Sequence, residues 1–445
     1  MEDEGIRFAT VGAARVAFQV HGTGDLDLVY SPGLASHLDI TLENPRYRSF
    51  VEALTRYGRV IRFDRRGSGV SDAVPPGAGE SWESWNEDLT AVLDAAGSRR
   101  AVVIATNDAG PAGILFAATQ PDRTEALVLF NTTVRFGAAP DYPEGHPPEV
   151  APFVLQVLRE TWGTEASSDL LCPSLAADEP HRRWYARFQR AACAPGEMLE
   201  SMERVLRLDA RHVLREVHRP TLVLHRADYS TVPPAQARYI AEHIDGAVYV
   251  ELEGADATAY TQGVEQIVTT VGQFIGRASR APADDRRFTT VVFTDIVRST
   301  EIAAELGDHA WYELLDRHDR ALRDLVGSCS GRVVKSTGDG ILAFFDAPTK
   351  AVEAALRVAE SVAALGLEVR VGVHAGPVVH RNDGDITGLA VNVAARVLGQ
   401  AGAGVVLATD AVAGLVTEGS YVFLDRGEHT LKGVPGRHRL YEITA

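Results

Sequence analysis

Four short stretches in the last third of the chain decide its fold: VVFTDIVRST (291–300), VVKSTGDGILAFF (333–345), DITGLAVNVAAR (385–396) and LKGVPG (431–436). The first begins as an apolar strand that ends at Asp295. The second predicts two strands joined by a Gly-Asp-Gly turn that carries Asp339. Strand ends and hairpin tips hold the backbone in place while a carboxylate faces solvent, so both aspartates are candidate ligand-binding residues.

Asp295 and Asp339 form a candidate pair of metal ligands. Carboxylates supply the oxygen atoms that Mg²⁺ and Mn²⁺ accept, and substrate phosphates commonly complete such sites. Taken alone, an aspartate in a Gly-Asp-Gly hairpin is more often explained by turn chemistry, because Asp and Gly favour tight turns. The functional interpretation therefore depends on all four stretches together.

In order and spacing, the four stretches resemble the catalytic domain of class III adenylate and guanylate cyclases, and the resemblance covers essentially all of 288–445. It implies a ferredoxin-like α+β domain that converts ATP to cyclic AMP and diphosphate. It also implies that Asp295 and Asp339, with the backbone of Ile296, bind two Mg²⁺ or Mn²⁺ ions in each active site. These ions activate the ribose 3′-hydroxyl and neutralise phosphate charge.

Two residues of the third stretch, Asn392 and Arg396, are four positions apart and share one face of a predicted helix. The resemblance implies that Asn392 orients the ribose and that Arg396 stabilises the transition state, a role that suits a guanidinium. It also implies that Lys432 holds the triphosphate. Taken singly, Arg396 could equally be a surface arginine of a helix, and Lys432 a solvated lysine.

Lys335 and Asp385 match the two positions that read the purine in adenylate cyclases. A cation donates to adenine N1 and a carboxylate accepts from the 6-amino group, whereas guanine presents the opposite pattern, so the pair favours ATP over GTP. In the family, the active site combines residues of two subunits, and every one of them occurs in this chain. We therefore expect a homodimer with an inactive monomer. A cyclase that uses GTP is the alternative.

Upstream of about residue 277, short apolar runs alternate with helical-looking stretches, which predicts a mostly parallel β-sheet with helices on both faces. The stretch 135–215 breaks this alternation and predicts a helical cap. A polar, charged linker at 278–288 divides the chain into domains at 1–277 and 289–445. The runs are LDLVYSPG (26–33), RVIRFD (59–64), AVVIA (101–105), ALVLF (126–130) and TLVLH (221–225).

In the second domain, the pattern predicts strands at 289–296 and in LEVRVGVHAG and RHRLYEI, and a hairpin around Asp339. It also predicts one continuous helix over about 299–327, a second over 349–364 and a third near 392–398.

The first domain resembles the α/β-hydrolase fold, in which SPGLASH (31–37) takes the place of the oxyanion loop and AVVIATNDAGPAG (101–113) that of the nucleophile elbow. The alignment places Asn107 at the serine position, Asp228 at the acid and Ala257 at the histidine. A shift by one residue would place Asp108 at the nucleophile, as in aspartate-dependent members. Without a base at 257, neither type of hydrolysis completes its cycle, so hydrolase activity is expected to be lost.

A hydrolase fold without its chemistry retains a buried pocket between sheet and cap. We expect this domain to bind a small, largely apolar ligand and to bias the cyclase dimer. The alternative is a domain that only supports dimerisation or stability. His37 lies in the predicted oxyanion loop and either lines the pocket or is solvated.

Composition excludes several classes of protein. The 445 residues are 45% hydrophobic and 23% charged, as in soluble globular proteins, and the formal charge of −16 disfavours nucleic-acid binding. No apolar run reaches the roughly 18 residues of a membrane span, and the acidic start is unlike a secretory signal, so the cytoplasm is the expected location. The three cysteines, Cys172, Cys193 and Cys329, lack the spacing of a disulfide framework or zinc site.

The sequence therefore predicts an inactive α/β-hydrolase module followed by a class III adenylate cyclase. Two further alternatives stay open at this point. One is a binding protein whose cyclase domain is also degenerate, and the other is an esterase with a regulatory nucleotide-binding domain.

Overall fold

The computed structural model describes residues 5–74, 82–278, 286–381, 384–416 and 421–444. The chain folds as two units, Met1–Asp284 and Asp285–Ala445. Most of the predicted linker, residues 279–285, lies outside the described residues. The other linker positions belong to the last helix of the first unit and the first strand of the second.

Within the described residues, the first unit contains an eight-stranded sheet with the strand order β1-β2-β4-β3-β5-β6-β7-β8. β1 and β2 pair antiparallel with each other, and β2 pairs antiparallel with β4; the pairs from β4 to β8 are parallel. The central strand β5 is buried along its whole length, as expected for a parallel sheet covered on both faces. The strands are β1 (Arg7–Val11), β2 (Ala14–His21), β3 (Asp27–Ser31), β4 (Arg59–Phe63), β5 (Ala101–Thr106), β6 (Thr124–Phe130), β7 (Thr221–Arg226) and β8 (Val248–Leu252).

Helices surround this sheet, and four of them, α5 to α8, lie within the predicted cap stretch. The hydrolase-like architecture with a helical cap that the sequence predicts is thus confirmed. The helices of the first unit are α1 (Leu38–Glu43), α2 (Pro45–Leu54), α3 (Trp82–Ala95), α4 (Gly110–Thr119), α5 (Val150–Thr161), α6 (Glu165–Leu171), α7 (Glu179–Ala192), α8 (Pro195–Arg207), α9 (Pro234–His243) and α10 (Val264–Ala278).

The described part of the second unit forms one mixed sheet with the order β10-β11-β9-β12-β14-β16-β15, and β13 pairs with β12 beside this path. The long strands β9 and β12 pair antiparallel at its centre and place Arg370 directly opposite Asp295. The strands are β9 (Arg286–Ile296), β10 (Arg332–Ser336), β11 (Ile341–Phe345), β12 (Val369–His380), β13 (Ile386–Thr387), β14 (Val406–Thr409), β15 (Val422–His429) and β16 (His438–Thr444).

One helix expectation for the second unit was wrong. Instead of one helix over 299–327, the chain forms two, which are separated at Gly307. Gly307 has φ of +75°, a left-handed conformation that glycine adopts without the steric penalty of a Cβ, so the first helix stops there. The helices are α11 (Ser299–Leu306), α12 (Asp308–Ser328), α13 (Pro348–Ala363), α14 (Leu389–Leu398) and α15 (Asp410–Leu415).

Among the residues that the structure describes, no helix is long and apolar enough to cross a bilayer.

Candidate functional site

The carboxylates of Asp295 and Asp339 come from two elements that pack closely together. Asp295 is the second-last residue of β9, and Asp339 lies in the turn between β10 and β11. The N–H of Ile296 donates to the Asp339 carbonyl at 3.1 Å. A Cβ at Gly340 would overlap the carbonyl oxygen of Thr294, so this position requires a glycine. The turn is thereby held against the end of β9.

Arg370 and Ser299 hold these two carboxylates from the side. Arg370 Nε donates to Asp295 Oδ2 at 2.8 Å, and the Ser299 hydroxyl donates to the Asp339 carboxylate. Burial raises the pKa of Asp295, the hydrogen bond from Arg370 opposes this effect, and the negative charge of Asp339 raises the pKa further. Two like charges therefore lie close enough to interact.

The oxygen atoms at this position fit a divalent metal ion. Two adjacent carboxylates repel each other, and a bound cation would compensate both charges. The described residues include no cluster of three or more His, Cys, Asp or Glu side chains arranged as a metal site. A metal held here would depend on Asp295, Asp339 and the carbonyl of Ile296, with substrate phosphates completing its coordination, as is common for Mg²⁺.

Lys335 and Asp385 form an exposed ion pair at a different point of the same sheet. Lys335 Nζ donates to Asp385 Oδ1 at 2.9 Å and to Oδ2 at 2.7 Å, and the N–H of Ile386 donates to Oδ1 at 2.8 Å. The hydrogen bond from Lys335 lowers the pKa of Asp385. The two positions predicted to read the base are therefore in direct contact, although they are 50 residues apart in sequence.

The other three predicted residues, Asn392, Arg396 and Lys432, have exposed side chains. The same helix, α14, buries Val393 and Val397, so Asn392 and Arg396 occupy its outward face. Within the described residues, none of the three makes a side-chain hydrogen bond or ion pair. No such bond joins them to the carboxylate pair in this chain.

In the first unit, Asn107 follows β5 directly and has φ of +51°. This sharp strand-to-helix turn leads through a short 3-10 turn into α4. The backbone carbonyl of Asn107 accepts the Thr132 hydroxyl, whereas its side-chain Oδ1 is buried and has no hydrogen-bond partner. An amide at this position is not a nucleophile of the serine type.

Asp108, the next residue, directs its carboxylate toward the predicted oxyanion loop. Asp108 Oδ2 accepts the backbone N–H of Leu34 at 2.6 Å. Burial raises the pKa of Asp108, and the positive charge of Arg65 opposes this effect. A backbone donor of the oxyanion loop is therefore already occupied by a carboxylate.

The remaining hydrolase positions do not assemble a catalytic base. Ala257 follows β8 and is buried against Tyr229 and Val232. Asp228 follows β7 and is exposed.

A cavity of about 450 Å³ lies between the sheet and the cap of the first unit. Asn107, Asp108 and Ala257 contribute to its lining, and so does His37. Of the two alternatives left open for His37, its place among the lining residues favours the pocket. Asp228 is absent from the lining residues.

Comparison with known proteins accounts for both units. The family described as "Alpha/beta hydrolase family" matches residues 20–269, more than half of the chain. The chain belongs to the alpha/beta hydrolase family. The crystal structure of a hydrolase from Pseudomonas aeruginosa is similar to this alpha/beta hydrolase unit, with a TM-score of 0.51 and 25% identity, over 61% of this chain and 99% of that protein.

The family described as "Adenylate and Guanylate cyclase catalytic domain" matches residues 283–445. This stretch is similar to putative adenylate cyclase 3 of Rhizobium meliloti, at 32% identity over 158 residues, which cover 34% of this chain and 27% of the relative. It is also similar to an adenylate cyclase of Streptomyces coelicolor, at 33% identity over 133 residues, which cover 29% and 34%. This alpha/beta hydrolase family member therefore carries a class III cyclase domain, and it spans about a third or less of the two cyclases' lengths.

Sequence reasoning missed three features of these sites: Arg370, Ser299 and the bond from Leu34 to Asp108. Ser299 lies within the first stretch quoted above, four residues after Asp295, so a search for polar side chains there would have found it. Arg370 is 75 residues from Asp295, and only the strand pairing brings them together.

Proposed function

We propose that this chain is an adenylate cyclase that converts ATP to 3′,5′-cyclic AMP and diphosphate at a homodimer interface. The observation that carries this proposal is the placement of Asp295 and Asp339 together, at a strand end and an adjoining turn. Similarity to two adenylate cyclases supports it.

The carboxylate pair is the proposed metal site. Asp295, Asp339 and the Ile296 carbonyl would hold two Mg²⁺ or Mn²⁺ ions, which activate the ribose 3′-hydroxyl and neutralise charge on the α-phosphate and the leaving diphosphate. Arg370 and Ser299 fix the orientation of the two carboxylates through the hydrogen bonds described above. In the reaction, the 3′-oxygen bonds to the α-phosphorus as the bond to diphosphate breaks.

The ion pair of Lys335 and Asp385 supports ATP as the substrate. When adenine enters, Lys335 donates to N1 and Asp385 accepts from the 6-amino group, so each side chain exchanges its present partner for the base. Guanine would place a donor against Lys335 and an acceptor against Asp385, and a mismatch of this kind is strongly rejected.

The outward face of α14 supports a site shared by two subunits. Asn392, Arg396 and Lys432 have no side-chain partner among the described residues of their own chain, so they are available to a nucleotide held by a second copy. Asn392 would orient the ribose, Arg396 would stabilise charge on the transferring phosphoryl group and Lys432 would hold the triphosphate.

The test is turnover of ATP, GTP, CTP and UTP by the purified chain, with Mg²⁺ and separately with Mn²⁺, measured as cyclic nucleotide. Cyclic AMP as the main product supports the proposal. Cyclic GMP as the main product would leave a cyclase but overturn the roles of Lys335 and Asp385. The absence of product from any nucleotide, with either metal, contradicts the cyclase function.

We also propose that the alpha/beta hydrolase unit is a ligand-binding module that regulates the cyclase. Its cavity of about 450 Å³ falls within the roughly 300–1,000 Å³ of typical small-molecule sites. The test is the cyclase rate and the melting temperature in the presence of a lipid library. A library that changes neither quantity would contradict regulation.

A further inference from the structure

Part of the apolar wall of the cavity is formed by α5, a helix without a single buried residue. Its side chains Val154, Val157 and Leu158 line the cavity. At the same rim, Phe153 is 63% exposed and Leu170 is 56% exposed. An amphipathic helix normally buries its apolar face against other protein. Here part of that face lines the cavity, where an apolar chain could pack against it.

The floor of the cavity carries one hydrogen-bond acceptor that a ligand can reach, the carboxylate of Asp108. A working hydrolase of this fold places backbone N–H donors there, where they bind the negative charge that develops on a substrate carbonyl. In this chain the N–H of Leu34 is bound by Asp108, and the Oδ1 atom of Asn107 is buried without a partner. The polarity of the floor is therefore the reverse of that of an esterase.

The guanidinium donors of Arg62 are engaged by acceptors of the protein itself. Arg62 lines the cavity, but its guanidinium donates to Gln19 Oε1 at 2.9 Å and to the Leu38 carbonyl at 2.8 Å. A ligand carboxylate at the floor would face the like charge of Asp108, with the Nη donors of Arg62 already engaged, and a buried charge without hydrogen-bond donors is costly.

A cationic ligand is disfavoured for a related reason. Arg65 already lies close enough to Asp108 to stabilise its negative charge, and the Nη2 of Arg65 donates to the Leu34 carbonyl at 3.1 Å. An ammonium group would add a second positive charge beside Arg65. A neutral donor satisfies the Asp108 acceptor without adding a charge to the cavity.

We propose that this cavity binds a neutral amphiphile, a primary alcohol in its simplest form, with the hydroxyl donating to Asp108 and the apolar chain lying along α5. This inference rests on the ligand-binding role proposed for the first unit and specifies the chemistry of its ligand. It applies to binding alone, so it is independent of whether the ligand activates or inhibits the cyclase.

The test compares 1-decanol, decanoate and decylamine, three probes with the same chain and different head groups, by calorimetric titration of the full chain. We expect 1-decanol to bind about tenfold more tightly than either charged probe, the usual range for one hydrogen bond to a charged group. Decanoate or decylamine binding as tightly as 1-decanol overturns the proposal, and so does the absence of binding by all three.

Two variants identify the contacts. Asp108→Asn keeps the shape of the side chain but removes its charge and adds an N–H donor, so the preference for 1-decanol over decanoate should shrink about tenfold. Val157→Trp fills the apolar wall and should abolish binding of 1-decanol. Asp245→Asn, an exposed aspartate outside the cavity, is the matched control.

An unchanged preference in Asp108→Asn overturns the assignment of the floor. If that variant does not fold, the comparison of the three probes on the natural chain still decides the proposal. Cyclase turnover is measured in the same samples. Binding of 1-decanol without any change in turnover would contradict regulation while supporting this inference.

Discussion

The two units treat their acidic residues in opposite ways. In the alpha/beta hydrolase unit, the carboxylate of Asp108 is tied to a backbone N–H of the oxyanion loop. In the cyclase domain, Asp295 and Asp339 lie side by side. Arg370 donates to the Asp295 carboxylate, and Ser299 donates to the Asp339 carboxylate. The first unit has Asn107 and Ala257 at the positions where its fold is expected to carry a nucleophile and a base, whereas the second has a residue of the expected type at each predicted cyclase position.

This difference shows that a fold and its chemistry can separate within one chain. The central strands of the first unit's sheet are buried, and this packing does not require catalytic residue types at positions 107 and 257. Function must therefore be argued for each unit from its own site residues.

The largest expected effect tests the cyclase side of the comparison. Asp339→Ala removes one of the two proposed metal-binding carboxylates, and we expect turnover of ATP to fall by at least about 10²–10³-fold. The measurement is cyclic AMP formation at saturating ATP and metal. Asp324→Ala, an exposed aspartate on α12, is the control and should retain full turnover. Equal turnover in both variants would contradict the proposed role of Asp339 and remove the contrast between the two units.

The second prediction sharpens the assignment of the base-reading pair. Changing Lys335→Glu together with Asp385→Ala removes the pattern that matches adenine, so the ratio of ATP to GTP turnover should fall about 10–100-fold. The ratio is measured from kcat/KM for each nucleotide. Arg317→Glu, a charge reversal at an exposed position of α12, should leave it unchanged. An unchanged ratio of ATP to GTP turnover in the double variant would show that Lys335 and Asp385 do not determine nucleotide specificity.

The third prediction concerns a histidine that the hydrolase unit uses for structure. Burial lowers the pKa of His225 to about 4, and its Nε2 lies 2.8 Å from the Val232 carbonyl. Because the folded pKa lies below the unfolded value of about 6.5, the unfolded state binds more protons between these values. The free energy of unfolding should therefore decrease by about 1–3 kcal/mol as the pH falls from 6.5 to 4.

The measurement is chemical denaturation across this pH range, in which the unfolding transition of the first unit gives its free energy of unfolding. His225→Gln should flatten it, because a glutamine does not titrate. His212→Gln, at an exposed position, should leave the slope as it is. Identical slopes in both variants would show that His225 does not carry the effect.

The last prediction is that one substitution in the first unit leaves ester hydrolysis unchanged. Asn107→Ser restores a hydroxyl at the elbow, but Ala257 supplies no base and Asp108 still occupies the N–H of Leu34. We therefore expect hydrolysis of a short-chain ester to stay at background in the natural chain and in the variant. Ester turnover in either protein would favour the esterase alternative and remove the contrast between the two units.

Much of the fold could be predicted because its signals are local. Apolar runs such as AVVIA marked β5, and the Gly-Asp-Gly sequence marked the turn of Asp339. The break at Gly307 was missed because apolar periodicity continues across it, and a single glycine within a helical pattern is often tolerated.

The details of the sites were less accessible from sequence. The motifs predicted functional roles for the residues at positions 295, 339, 335 and 385. The ion pair between Lys335 and Asp385 depends on how the sheet brings the two residues together, which the motifs do not show. The direction of the Asp108 carboxylate depends on where Leu34 lies in three dimensions, and these residues are 74 positions apart. No local pattern encodes such a contact.

The backbone of Asn107 bears on how this turn can keep its shape without a nucleophile. Its left-handed conformation is one that asparagine tolerates better than most residues other than glycine. An exchange of serine for asparagine at this turn removes the nucleophile and leaves the elbow's shape intact. The same turn can therefore present either a hydroxyl or an amide to the cavity without a change of backbone.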